Sequence, residues 1–256
     1  MRSVIAFPCA GETLVGTLDA GANTTGLLIV SGGNEIRIGA HRGMALLAAR
    51  LAAEGTPVFR YDRRGIGDST GENTGFEQAG DDMAAAVAAF RHEAPHLARI
   101  VGFGNCDAAT ALALFHAAAG IDALVLANPW TIEQPDDLPP AAAIRARYIE
   151  RLKDPATYWR LLKGGVDLRK LAKGLAKISD TPSEDATRLA ARLGSALATA
   201  GKPIEIVLAK GDATAIAFVD ACVTTLPTHM IDTASHSFAR GDDQAALESI
   251  LRAALA

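Results

Sequence analysis

Three residues that together can carry acyl transfer occur in a usable order along this chain: Cys106, Asp212 and His236. A thiolate is a strong nucleophile, a histidine can take or hold its proton, and a carboxylate can fix the tautomer of that histidine. Cys106 lies in VGFGNCDAAT (101–110), where an apolar run gives way to an alanine-rich helical pattern. Within it, Gly104-Asn105-Cys106-Asp107-Ala108 is a variant of G-x-S-x-G, the tight strand-to-helix turn that lifts a nucleophile above a sheet. Cysteine replaces the serine, and alanine, still small, replaces the last glycine. Asp212 follows the run PIEIVLA (203–209), and His236 follows HMID (229–232), so both fall in loops at the ends of expected strands. The order nucleophile, acid, histidine is the one this kind of turn requires.

Such chemistry also needs donors for the negative oxygen of a tetrahedral intermediate. The expected donors are the backbone N–H of Asp107 and those of Gly33 and Asn34, in the loop Ser31-Gly32-Gly33-Asn34. Gly32, His41, Asn128 and Trp130 are expected to line the substrate pocket. Thiols at helix N-termini beside a histidine ionise more readily than free cysteine. Asp107 works against that here unless its carboxylate turns away.

Two other readings of the stretch compete. Cysteine is among the most buried residue types, and a purely structural role is expected for Cys9 and Cys222. A dinucleotide loop of the G-x-G-x-x-G kind fails, because its sixth position is Asp107 and the acidic residue further on is Asp122, which opens a strand instead of ending one. No cofactor and no metal is therefore expected.

Positioning the three residues requires a sheet. Apolar or alternating runs at 3–8, 13–18, 26–30, 56–62, 98–103, 122–128, 203–209 and 228–232 predict eight strands. Helical patterns fall at 41–55, 76–93, 106–120, 214–222 and 242–255. Strands alternating with helices predict an α/β protein with a mostly parallel sheet covered on both faces, and an antiparallel hairpin at one edge. Residues 131–200 carry no strand pattern and open on the proline-rich TIEQPDDLPP. They read as a helical cap inserted into a core of 1–130 and 201–256. Within them, 145–177 holds ten Lys or Arg against three acidic residues. This is either the solvated face of amphipathic helices or a basic lid for an anionic substrate, carrier or membrane surface.

The chain of 256 residues has a net charge of -4, which argues against a nucleic-acid binder. No run reaches the ~18 apolar residues of a membrane span, and the N-terminus makes a poor signal peptide. Three widely spaced cysteines suit a reducing, cytoplasmic setting better than a disulfide framework.

With these residues in place, the sequence resembles the α/β-hydrolase superfamily over nearly its whole length. The loop Arg60-Tyr61-Asp62-Arg63-Arg64-Gly65-Ile66-Gly67-Asp68-Ser69 is similar to the R-x-D-x-R-G-x-G-x-S loop after the fourth strand of such enzymes. More narrowly, the SGGNEIRIGAHR loop, the NCDAA elbow, LANPW after the sixth strand and YIERLKDPATYWRLLKGG resemble the hydrolase 1 family encoded with exosortase A and exopolysaccharide systems. That resemblance implies an α/β-hydrolase fold with a cap, and an esterase or thioesterase with Cys106, Asp212 and His236 as a triad. An acyltransferase on the same triad, or a non-catalytic protein that uses the pocket and basic cap to bind a ligand, are the alternatives. The expected partner is a small acyl ester or thioester, anionic or carrier-linked where the basic stretch engages it.

Overall fold

The strand-forming runs expected from the sequence all form. The structure, a computed structural model, describes residues 1–131 and 184–256. Its strands are β1 (Arg2–Cys9), β2 (Glu12–Asp19), β3 (Thr25–Val30), β4 (Val58–Tyr61), β5 (Arg99–Asn105), β6 (Ala123–Ala127), β7 (Ile204–Ala209) and β8 (Thr228–Ile231). Its helices are α1 (Gly43–Ala53), α2 (Gly80–Glu93), α3 (Asp107–Ala119), α4 (Glu184–Thr199), α5 (Ala213–Ala221) and α6 (Gly241–Leu255). The eight strands form one sheet in the order β1-β2-β4-β3-β5-β6-β7-β8. β2 runs antiparallel to both β1 and β4, and the pairings from β4 through β8 are parallel.

The middle strands bury both faces, which is why they read as unbroken apolar runs. One face packs Leu28, Val30, Leu124, Leu126, Ile206 and Leu208 against Met83 and Phe90 of α2, Leu112 of α3 and Phe218 of α5. The other packs Leu27, Ile29, Val101, Phe103, Val125 and Val207 against Leu47 and Leu51 of α1 and Leu247 and Leu251 of α6. Each such leucine or phenylalanine contributes about 1.5–3 kcal/mol by leaving water.

Residues 184–199, the last part of the stretch expected as a cap, form α4. Leu189, Leu193 and Leu197 of α4 are buried, and the latter two join the cluster that holds Leu112 and Ile206. This helix packs against α3 and α5. The four-residue spacing of those leucines keeps them on one face of the helix. The remainder of the expected cap, with the basic stretch 145–177, falls outside the described residues.

Register sets the geography of the site. Val30 pairs with Gly104 and Asn105 with Ala127, so the loops leaving β3, β5 and β6 emerge side by side. Ala127 pairs with Val207 and Ala209 with Ile231, which brings the loops after β7 and β8 to the same sheet edge. Open α/β sheets place their sites at this edge, outside the carboxyl ends of the strands.

Candidate active site

Cys106 occupies a backbone conformation that side chains rarely adopt, with φ 64° and ψ -128°. Such strain persists only where surrounding contacts over-determine it. Here the Cys106 N–H donates to the Ala127 carbonyl at 2.9 Å, and its own carbonyl accepts from Ala109 N at 3.1 Å and Trp130 N at 3.2 Å. Thr110 Oγ1 then donates to the Trp130 carbonyl at 2.7 Å. The turn is so tight that a Cβ on Gly104 would lie 2.8 Å from the backbone of Ala108. Ala108 is wholly buried, so the small residue expected at this position has a steric reason. The cysteine itself is half-buried.

Asp212 caps the first turn of α5, accepting the Ala215 N–H at 3.2 Å through Oδ2. The same oxygen lies 3.0 Å from His236 Nδ1. The cap fixes the carboxylate, and the carboxylate fixes the ring. Cys106 also acts on the ring, as the next largest influence on its charge. The His236 imidazolium is therefore held well above the ordinary histidine range, at about 10, first by the Asp212 hydrogen bond and then by Cys106, against the opposing effect of burial. The loop carrying it is tied down from below. Phe238, at φ 52°, is buried between α1 and α6, and Thr233 Oγ1 bridges Asp243 Oδ2 at 2.6 Å and the Ser235 N–H at 3.0 Å.

The carboxylate of Asp107 does turn away from the thiol. Its two oxygens accept the Gly33 N–H at 2.8 and 2.9 Å, and Oδ2 lies 3.7 Å from Nη2 of the buried Arg63. That corrects the expected oxyanion donors: the Gly33 N–H is occupied by an internal anion. The N–H groups of Asp107 and Asn34 have no hydrogen-bond partner among the described residues. Gly33, at φ 52°, takes the left-handed conformation that glycine enters at least cost. Gly32 has no room for a side chain, since a Cβ there would meet Asp107 Oδ1 at 2.4 Å.

The expected pocket residues divide. His41 is exposed and lines a groove between α1 and α6 with Met44, Ser237 and Phe238, beside the His236 loop. Trp130 is half-buried and braces the elbow through its backbone. Asn128 is wholly buried, with its amide engaged inside the protein. Its Nδ2 donates to the His236 carbonyl at 3.2 Å and to Asn105 Oδ1 at 3.0 Å, while its Oδ1 accepts the Ala209 N–H at 2.8 Å. Asn105 Nδ2 also donates to the His236 carbonyl, at 3.0 Å. The two asparagines form a strut that sets the height of the histidine over β5, β6 and β7.

Sequence reasoning missed Asn105, Arg63 and Glu35. Arg63 belongs to the R-x-D-x-R-G loop, whose other members form a buried knot. Asp62 accepts the Arg37 N–H at 2.6 Å, pairs with the Arg37 guanidinium, and leaves no room for a side chain on Gly67. Glu35 follows the Gly32-Gly33-Asn34 turn and accepts the Ala40 N–H at 2.6 Å. Burial pushes its carboxyl above the usual range, and the charges of His236 and Asp107 both reach it, which places it at the same cleft. No group of three or more His, Cys, Asp or Glu suited to a metal occurs among the described residues.

Comparison with known proteins agrees with this fold. The profile of the family described as serine aminopeptidase, S33, matches residues 25–207. The hydrolase GrgF from Penicillium is 18% identical, with a TM-score of 0.64 over 98% of this chain and 97% of that one. The esterase Pf2001 of Pyrococcus furiosus is 14% identical, with a TM-score of 0.61 over 100% and 94%. A thioesterase domain from the curacin biosynthetic pathway is 14% identical, with a TM-score of 0.54 over 98% and 99%. No curated protein matches the chain in sequence.

Proposed function

The chain belongs to the serine aminopeptidase family of α/β-hydrolases, and from that premise we propose that it cleaves carboxylic esters or thioesters through a covalent acyl-cysteine. The observation that carries the proposal is Cys106 held at φ 64° on the elbow, facing a histidine whose far nitrogen is 3.0 Å from Asp212. A family described by a serine nucleophile here carries sulfur at that position, and the raised histidine suits sulfur. In the proposed cycle Cys106 attacks as a thiolate, with the His236 imidazolium beside it to balance the charge.

The steps follow from that pair. The Cys106 sulfur attacks the acyl carbon, a C–S bond forms, and the carbonyl π pair moves onto oxygen. The N–H groups of Asp107 and Asn34, without a partner among the described residues, receive that oxyanion. As it collapses, the bond to the leaving oxygen or sulfur breaks, and His236 gives the leaving group its proton. The neutral imidazole then takes a proton from water, whose oxygen attacks the acyl-cysteine. The second collapse returns the thiolate and releases the acid. Throughout, Asp212 holds Nδ1 protonated and offsets the ring's charge.

The sequence resemblance supports a setting in exosortase A and exopolysaccharide systems, and the basic stretch 145–177 supports an anionic or carrier-linked acyl substrate. Three free thiols support a reducing, cytoplasmic compartment. The test is a panel of p-nitrophenyl esters and acyl thioesters, with Cys106→Ala and Cys106→Ser as controls. Turnover should vanish in the alanine variant. Turnover that survives it ends the nucleophile reading and leaves a ligand-binding role, whereas product formed only with an added alcohol or amine acceptor indicates acyl transfer.

A further inference from the structure

Of the two oxyanion donors expected from the loop after β3, the Gly33 N–H is already filled. Both oxygens of Asp107 sit on the Gly33 N–H, at 2.8 and 2.9 Å. A carbonyl oxygen that gains negative charge beside Cys106 would meet a carboxylate where it needs a donor. Charge repulsion and the missing hydrogen bond act in the same direction, against the tetrahedral intermediate.

The structure also contains a second berth for that carboxylate. Arg63 is buried, and its Nη2 donates to the Gly33 carbonyl at 2.5 Å while standing 3.7 Å from Asp107 Oδ2, an ion pair too long to be a hydrogen bond. Its other terminal nitrogen, Nη1, is buried with no hydrogen-bond partner among the described residues. An unsatisfied guanidinium donor in the interior is costly unless it has a use. The guanidinium grips the carbonyl of the same glycine whose N–H holds the carboxylate. Gly33 would therefore stay in place while its N–H is handed from one acceptor to another.

Resting on the acyl-hydrolase reading, we propose that Asp107 is a positioning residue that keeps the Gly33 donor closed at rest and frees it by turning onto Arg63 when a substrate carbonyl arrives. The displacement is driven by substrate binding, so it selects against small, weakly held esters. A substrate with extensive contacts elsewhere opens the site, and a short activated ester does so poorly.

The experiment separates the donor from the nucleophile. Iodoacetamide alkylates Cys106 without forming an oxyanion, whereas an alkyl trifluoromethyl ketone adds to the sulfur and places an alkoxide at the donor. Asp107→Asn keeps the shape and removes the charge, and Asp107→Ser serves as a second variant should the first fold poorly. Either variant should bind the ketone about 10-fold more tightly and raise kcat/KM for p-nitrophenyl acetate by a similar factor, a fraction of the 10²–10³ that one such donor is worth. Arg63→Met should weaken ketone binding about as much, by removing the second berth. Alkylation rates should move less than about 3-fold in all three, because no donor is involved. Ketone affinity that is unchanged or weaker in both Asp107 variants overturns the proposal and leaves Asp107 a structural clamp. Failure of the unmodified protein to be alkylated at Cys106 would instead overturn the nucleophile.

Discussion

Cys106 and Cys9 are given almost the same neighbours and put to opposite uses. Each has a carboxylate close by, Asp107 for one and Asp82 for the other, and consecutive arginines of one loop reach those carboxylates: Arg63 pairs with Asp107, Arg64 with Asp82. Cys9, buried at the end of β1, donates its thiol hydrogen to Asp82 Oδ1 at 3.4 Å. Burial, then the charge of Asp82, push that thiol up to about 11, so it stays protonated and inert. Cys106 differs in three respects. It is half-buried, it stands on a strained turn at the start of a helix, and it faces a protonated histidine. Composition around a thiol therefore says little; the carboxylate's direction and the presence of an imidazolium decide.

The largest expected effect that would break this contrast is on turnover. Cys106→Ala should lower kcat/KM for any substrate ester by at least about 10³-fold, while Cys9→Ala should leave it within about 2-fold. Next in size is the orienting acid: Asp212→Asn should cost about 10²–10⁴ in kcat with little change in KM, since the ring is then held in the wrong tautomer. Labelling sharpens the contrast further. At pH 7, iodoacetamide should modify Cys106 and spare Cys9, and His236→Ala should slow the labelling of Cys106 about 10-fold by removing the imidazolium. Comparable labelling of both thiols in native protein would mean that the two environments do not differ as described.

Smaller effects concern stability. Asn128→Ala leaves the Ala209 N–H and the amide of Asn105 short of a partner, and should cost about 1–3 kcal/mol for each unpaired buried group, measured by urea unfolding. The pH dependence has a definite sign. His236 binds its proton more tightly when folded, about 10 against 6.5, so its contribution to stability is full below 6.5 and is lost as pH rises through 10. The stability difference between the unmodified protein and His236→Ala should shrink over that window; a difference that grows with pH would contradict the ion pair.

Much of the sheet was legible because its signals are local. Unbroken apolar runs mark strands buried on both faces, and the order of Cys106, Asp212 and His236 needs only the chain to be read. What the sequence hid are contacts between distant residues. Asp107 reads as an anion beside a thiol until Gly33, remote in sequence, is seen to take its carboxylate. Asn128, placed correctly at a strand end, reads as pocket lining until the His236 carbonyl and the Ala209 N–H are seen to claim all its hydrogen-bonding groups. Residues 184–199 read only as part of a helical stretch, and packing alone shows that Leu193 and Leu197 join the cluster holding Leu112 and Ile206. Arg63 was visible inside a familiar loop, and nothing local indicates that its guanidinium reaches the turn after β3.

The central claim is that an acyl group passes through the sulfur of Cys106. Mixing the protein with p-nitrophenyl butyrate, quenching in acid within one turnover and mapping the peptides by mass spectrometry tests it directly. The account predicts one butyryl group on the peptide that carries Cys106, absent in Cys106→Ala and decaying at the steady-state rate. Release of p-nitrophenol with that peptide unmodified, or with the acyl group on Ser235 or Ser237 instead, would contradict it.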